Sequence, residues 1–420
     1  MPDSDPGNNE PIRLGRKAPS LRGPSARAES GLSERRPTVR AEGLPVPGPN
    51  STPCQYLAGA FRGLGTVTRI EIRDRLGIPV DEIPIHPTRN FDLIRFDYAG
   101  PHGNPARLGT VEDLFLNIEE MPLIGDLSDL KTLRNHVLRS PRLTTGLAAL
   151  AEYRRATGRK PGRTRGLAFR VPCSAEDTPW RKYRRTDLKR AVTVAIRRVF
   201  PDWKPVEDGG DLEIWIHQSG RRAFVSLRLS DIAMRQRDYK AANLPASLRP
   251  SIARAMALLS RMGDADVVLD PMCGAGTILI ERALAGRYGK LLGGDINPEA
   301  VDAARTNLGP KHKPWELSIW DATRLPVPDA SVDRIITNPP WGRQVGSRAE
   351  NVPLYQGFLR EAIRVLKDSG LIVLISSEWS LLRMTLAQLP ELGVVRTVKN
   401  VSVLGWNADI VVIAKGNWRG

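Results

Sequence analysis

The sequence predicts an α/β protein whose C-terminal half is a doubly wound parallel sheet, preceded by smaller α+β units. Three observations carry this. From Val267 onward, short β-branched runs alternate with amphipathic stretches, the pattern of strands joined by covering helices. The first of these strands, Val267-Val268-Leu269, runs into a glycine-bearing turn, Gly274-Ala275-Gly276, and then a helix start at Thr277. Polar residues close successive strands: Asp270, Asp295, Asp321 and Asn338. Strand ends of a doubly wound sheet line one crevice, so these four are expected to face one ligand.

Length and charge bound the rest. A chain of 420 residues is long enough for two or three domains, and its net charge of +16 favours a polyanionic partner. Cys54, Cys173 and Cys273 are scattered and odd in number, which fits neither a disulfide framework nor a zinc site. No signal-peptide core or membrane-length apolar run is present. The expectation is a soluble, cytoplasmic monomer without a metal.

Residues 1–50 are rich in Pro, Gly, Ser, Arg and Glu, the composition of a disordered tail. From Gln55 the pattern changes. An apolar segment and an amphipathic helix are expected over 57–75, an alternating strand over 91–96, and helices over 111–118 and 127–137. A small α+β domain over 51–125 follows from these. Between Ala151 and Pro205, sixteen Lys or Arg stand against five acids, a net of +11. Within it a strand over 167–171 precedes a helix over 186–200 with one apolar stripe and one cationic face. Strands over 212–217 and 223–229 follow, completing a unit over 126–230. With Trp180, Tyr183 and Trp203 interleaved, the basic stretch suits phosphate contact with stacking, and Arg181, Lys182, Arg184, Arg185, Lys189 and Arg190 are the candidate RNA-binding residues. A solvated charged face is the bland alternative. Residues 231–250 are a polar linker, and 251–420 is the doubly wound domain ending in a hairpin (394–403 with 410–414).

The glycine turn lets backbone approach a ligand, and a helix N-terminus presents unpaired N–H groups. A dinucleotide site shares these features, but the third glycine of Gly-x-Gly-x-x-Gly is replaced by Leu279. Asp270 would also repel a pyrophosphate while suiting a cationic amino-acid moiety, and Asp295 can take the two hydroxyls of a ribose. The run Ile335-Ile336-Thr337-Asn338-Pro339-Pro340-Trp341-Gly342 ends a strand in a rigid corner, because proline cannot donate to a sheet ladder. There Asn338 Oδ1 and the Pro339 carbonyl are acceptors for an exocyclic amine, and Trp341 offers a flat face. A proline-rich turn with a packed Trp is the alternative.

The segments Asp270–Glu281, Asp295-Ile296-Asn297-Pro298, Asp321-Ala322 and Asn338-Pro339-Pro340-Trp341-Gly342 resemble the motifs of amino-group S-adenosylmethionine methyltransferases, in particular the THUMP-domain RNA guanine-N2 branch. Arg237-Asp238-Tyr239-Lys240 and 244–250 resemble that branch's linker. The resemblance covers roughly 55–420. It implies a ferredoxin-like domain, a THUMP domain that holds the acceptor end of a tRNA, and a Rossmann-like methyltransferase domain. It also implies that Asp270, Gly274 and Gly276 cradle the methionine part of the cofactor, with Cys273 and Thr277 among the cofactor-binding residues. Asp295 would hold the ribose, Ile296 and Asp321 would flank the adenine, Ala322 and Asn338 would also contact the cofactor, and Asn338, Pro339, Pro340 and Trp341 would form the catalytic corner. The family commonly has Tyr or Phe where this chain has Trp341, and Gly where it has Asp238. Cys273 reads as a packing residue rather than a nucleophile. Guanine-N2 methylation of ribosomal RNA, adenine-N6 methylation of RNA or DNA, and an inactive binding fold stay open on the residues alone.

Overall fold

The computed structural model describes residues 53–163, 165–245, 247–342, 348–403 and 405–416. The tail expected over 1–50 lies outside them. The N-terminal half is built on one sheet from two stretches of chain. The first supplies β1 (Cys54–Phe61), α1 (Gly65–Leu76), β2 (Ile85–Pro87), β3 (Phe91–Tyr98) and β4 (Asp113–Pro122). The second supplies α2 (Ser128–Arg139), α3 (Pro141–Ala156), β5 (Ala168–Arg170), β6 (Cys173–Ser174), α4 (Arg185–Val199), β7 (Lys204–Pro205), β8 (Leu212–Ser219) and β9 (Arg222–Arg228). Its order is β2-β3-β1-β4-β9-β8-β5-β7, with β6 also on β8. The seam is the antiparallel pair β4–β9, in which Leu116 faces Leu227.

The helix expected over 111–118 is strand β4. Val111, Leu114 and Ile118 fall at helical spacing, but β4 is central in the sheet, and Asp113 through Ile118 are all buried. A strand covered on both faces reads as a nearly continuous apolar run, which periodicity alone cannot separate from a helix. The sheet also curls. The Ser219 hydroxyl donates to the Pro87 carbonyl at 2.7 Å, and the His86 ring lies 4.8 Å from Phe224, four strands away. Leu57, Leu93, Phe115 and Phe224 are enclosed on the concave side.

After a short helix α5 (Ile232–Gln236) the chain enters α6 (Pro250–Leu259), which starts with proline at its first turn, where the missing N–H is harmless. The second half then runs β10 (Val267–Asp270), α7 (Thr277–Ala285), β11 (Lys290–Asp295), α8 (Pro298–Leu308), β12 (Trp315–Ile319), β13 (Val332–Thr337), α9 (Arg348–Val365), β14 (Leu366–Ser376), α10 (Trp379–Leu386), β15 (Leu392–Val403) and β16 (Trp406–Lys415). Strand order is β12-β11-β10-β13-β14-β16-β15. The five strands from β12 across to β14 are parallel, and the closing β15–β16 hairpin is antiparallel, as expected. The order reverses between β10 and β13, and a crevice at that switch point is where such sheets bind ligands.

The two halves share a core. One apolar cluster includes Tyr56 and Ile72 from the first sheet and its helix, Ile252 and Met256 from α6, and Leu279 and Ile410 from the second half. Glu281 on α7 is fully buried and accepts from Arg254 Nε (2.9 Å), Tyr239 Oη (2.9 Å) and Arg237 Nε (3.2 Å). Arg237 Nη2 also donates to the Gly109 carbonyl at 2.6 Å, and Glu71 accepts from the amides of Gly109 and Thr110, both at 2.9 Å. A buried carboxylate is tolerable only when so many donors compensate its lost hydration.

Candidate active site

The crevice is a cavity of about 990 Å3, near the upper limit for a site that holds one small molecule, so there is room for a cofactor and a base together. Asp270, Asp295 and Asp321 line it from the ends of three strands, and Asn338 from a fourth. Cys273, Gly274, Thr277, Ile296, Ala322, Pro339, Pro340 and Trp341 line it too. Gly276 sits one position before α7 with φ 78°, a conformation that a side chain resists, and an added Cβ would meet Ala304 at 3.2 Å.

Each wall has a local cause. The glycine turn is tied to β11, since the Cys273 amide donates to the Gly294 carbonyl at 2.9 Å and the Gly274 amide to Asp295 Oδ2 at 3.0 Å. The Asn297 amide donates to Asp295 Oδ1 at 3.1 Å. Each Asp295 oxygen thus keeps a lone pair for a hydroxyl. Asp321 is exposed, and its Oδ1 accepts from the amide and hydroxyl of Thr323. Ile296 is 73% exposed, an open apolar surface beside Asp295.

Asp270 is 1% exposed; its Oδ1 accepts from the Met272 amide at 3.3 Å, and its Oδ2 has no hydrogen bond among the described residues. Burial pushes its pKa up to about 7, with the Asp295 charge adding to the rise and the neighbouring Thr337 hydroxyl opposing it. Asn338 Oδ1 is buried and likewise unpartnered. Orphaned buried acceptors are costly, at about 1–3 kcal/mol each, so both mark places for a donor from outside the chain. The corner holding Asn338 is rigid. Trp341 Nε1 donates to the Ile375 carbonyl at 3.2 Å, and Tyr355, bonded to Ser376 at 2.8 Å, reaches the Pro340 carbonyl at 3.4 Å. Burial pushes the Cys273 thiol well above its ordinary pKa, as expected of a packing residue.

Further lining residues lie outside the motifs expected to form the site. Leu244, Pro245, Ser247 and Leu248 close one side of the cavity, and their stretch of linker is held by Asn307, which pairs with Ala242 in both directions at 2.8 Å and donates to the Ala275 carbonyl at 3.0 Å. Ala246 lies outside the described residues. On α9, Pro353, Leu354, Gly357 and Arg360 present one face to the cavity, a spacing of three and four residues that the sequence does carry.

The basic stretch is partly corrected. The Arg181 side chain is fully buried, donating to the Glu176 carbonyl at 2.5 Å and packing on Tyr183. It cannot meet a phosphate. Tyr183 and Trp203 are core residues: Tyr183 donates to Asp129 at 2.7 Å, and Trp203 stacks on Phe200 at 4.0 Å. Lys182 and Lys189 pair with Asp126 and Glu207. Arg184, Arg185 and Arg190 are exposed, as are Arg197 and Arg198 further along α4.

Residues 237–403 match the family described as RMKL-like, methyltransferase domain. The C-terminal half is therefore a methyltransferase domain. The chain is 30% identical over 283 residues to tRNA (guanine(6)-N(2))-methyltransferase THUMP3 of Mus musculus, covering 64% of this chain and 53% of that protein. It is 33% identical over 215 residues to U6 snRNA (guanine-N(2))-methyltransferase THUMPD2 of Bos taurus, covering 50% of this chain and 41% of that one. The crystal structure of TrmN from Thermus thermophilus superposes with a TM-score of 0.69 at 23% identity over 86% of this chain and 99% of the other, showing the same fold. The chain spans about half the length of the two relatives compared by sequence. Among the described residues no helix is long and apolar enough to cross a membrane, and no cluster of His, Cys, Asp and Glu could hold a metal ion.

Proposed function

We propose that this protein transfers a methyl group from S-adenosylmethionine to the exocyclic N2 of a guanosine in structured RNA, with tRNA the substrate that its relatives favour. The observation that carries the reading is the pair of buried, unpartnered acceptors in one cavity, Asp270 Oδ2 and Asn338 Oδ1. The first suits the cofactor's ammonium group and the second an amine on a planar base. The proposed domain plan keeps the ferredoxin-like part at 51–125, the THUMP part at 126–230 and the methyltransferase part at 251–420. A cytoplasmic monomer belongs to the same proposal.

The cofactor would supply an electrophilic sulfonium methyl group; every other task falls to the chain. Asp270 pairs with the ammonium, the amides at the start of α7 and its glycine turn pack on the methionine part, and Asp295 accepts from the ribose. Ile296 and Asp321 cover the adenine. An exocyclic amine is a poor nucleophile because its lone pair is delocalised into the ring. Asn338 Oδ1 and the Pro339 carbonyl accept its two N–H bonds and turn the lone pair toward the methyl group. Trp341 stacks on the ring and fixes its plane. The methyl group would pass to the amine as its bond to sulfur breaks with the electron pair left on sulfur, while Asn338 and the Pro339 carbonyl hold the amine until its surplus proton leaves to water. Positioning accounts for most of this, and no residue need act as a strong base.

Incubating the protein with tRNA and labelled S-adenosylmethionine, then digesting the RNA, should yield N2-methylguanosine; N6-methyladenosine instead would overturn the reading. Asp295→Ala should weaken cofactor binding by about 2–3 kcal/mol, the loss of two hydrogen bonds to a charged acceptor; calorimetry checks it. Reversing charge at Arg184, Arg185 and Arg190 should weaken RNA binding and reduce its salt dependence by about one in slope for each phosphate no longer neutralised. Titrations across a salt series distinguish this from a solvated face, which would leave the slope unchanged.

A further inference from the structure

The β15–β16 hairpin overhangs the cavity. Asp409 of β16 pairs with Ser376, the last residue of β14, so the part of β16 before it lies beyond the carboxyl ends of the parallel strands. Trp406 is three residues before Asp409, about 10 Å farther out at 3.3–3.4 Å per residue. The hairpin turns through Gly405, whose φ of 84° suits a tight reversal. Val403 stands opposite Trp406 across the pair, and directly opposed residues share a face. Both line the cavity, yet Val403 is 3% exposed and Trp406 48%. Val403 is thus wall and Trp406 is rim. The same sheet edge carries Ile375, whose carbonyl holds Trp341, so the rim and the catalytic corner are mounted on neighbouring strands.

Trp406 keeps about half of its surface exposed at the mouth of the cavity, and a flat ligand can cover that part of the indole. The cavity takes a single base, and a target inside a stem has to leave its stack to reach Asn338, at a cost of a few kcal/mol. A sequence-tolerant stacking surface on the way in would offset that cost, because every base has a π-face.

We infer that Trp406 is a positioning residue that stabilises the extruded target nucleotide by stacking at the cavity mouth. It does not touch the reacting atoms, so its effect depends on whether the target must be unpaired. This rests on the reading of the cavity as the site of base methylation, but not on which base is methylated.

Two RNAs differing only opposite the target, one with the complementary base and one with an abasic site, separate the cases in single-turnover assays. Trp406→Ala should slow methylation of the paired RNA by about 10- to 100-fold, the rate equivalent of one stacked base, and of the unpaired RNA by less than about threefold. Trp406→Leu, which keeps apolar bulk, should behave like the alanine variant, and Trp406→Phe like wild type. Cofactor affinity by calorimetry should stay within about twofold. Equal slowing on both RNAs, or on neither, overturns the inference. The comparison runs on whichever paired base the wild-type protein methylates, so a wrong base assignment shows in the product and leaves the Trp406 result readable.

Discussion

Substituting Asn338 by alanine is expected to lower the rate of methyl transfer by about 100- to 1,000-fold, the range seen when one preorganised polar group is removed from a reacting centre. Cofactor affinity should stay close to that of wild type. The two effects separate because, on the proposed reading, Asn338 Oδ1 accepts from the amine, and among the described residues it has no other partner. Removing an orphaned acceptor does not cost the fold a bond, so the variant should melt at or slightly above the wild-type temperature. The corner itself is held by other contacts, Trp341 on Ile375 and Tyr355 on Ser376. Single-turnover kinetics and calorimetry on the same preparation check the split. A variant that loses cofactor binding as fast as it loses rate would place Asn338 in the cofactor half of the cavity instead.

Asp270→Asn should act in opposite directions on the protein with and without cofactor. Without it, Asp270 binds its proton more tightly in the fold, at a pKa of about 7, than in an unfolded chain, where the ordinary value is 3.8. A raised carboxyl contributes stability that is fully present below the unfolded value and is lost as pH rises through the folded one. At about 1.36 kcal/mol per pH unit this window amounts to on the order of 4 kcal/mol. The asparagine variant should therefore unfold at a higher temperature than wild type at pH 8 and at nearly the same temperature at pH 4. With cofactor the order reverses. The ionised carboxylate is needed to pair with an ammonium group, and removing one partner of a buried ion pair costs about 3–5 kcal/mol. Wild-type affinity should fall as pH drops below 7, with proton release measurable by calorimetry in buffers of different ionisation enthalpy. The asparagine variant should lose that dependence.

The doubly wound half is legible in the sequence because its signals are local. Strands β10 and β13 are short β-branched runs, α7 and α8 open on Thr277 and Pro298, and the cavity-lining residues sit at strand ends, so Asp270, Asp295, Asp321 and Asn338 converge from sequence order alone. The N-terminal half is less so. Strand β4 reads as helical because its pairing partners lie on both sides and one of them, β9, is more than a hundred residues away. Helix α3 has no clear sequence signal, since Gly146, Ala148, Ala149 and Ala151 stand among Leu143, Leu150 and Tyr153 on its buried side, a stripe with little hydrophobic contrast. Arg181 passes for a free cation because charge is visible in a sequence, whereas burial by Tyr183 and the Glu176 carbonyl is not. Trp406 carries no motif at all; only the overhang of the hairpin past β14 shows where it stands.

The buried Glu281 cluster bears on how the molecule comes apart. Its donors are Arg237 and Tyr239 before α6 and Arg254 within α6, and Arg237 also donates to the Gly109 carbonyl of the first sheet. Severing the chain near residue 250 would strip away Arg237 and Tyr239 and leave Arg254 as the one remaining partner of the buried carboxylate among those named. A scanning calorimeter should accordingly record both sheets of the intact protein melting in a single peak, with equal calorimetric and van't Hoff enthalpies. An isolated C-terminal fragment should be destabilised, and replacing Glu281 and Arg254 together by apolar residues should restore it better than replacing either alone.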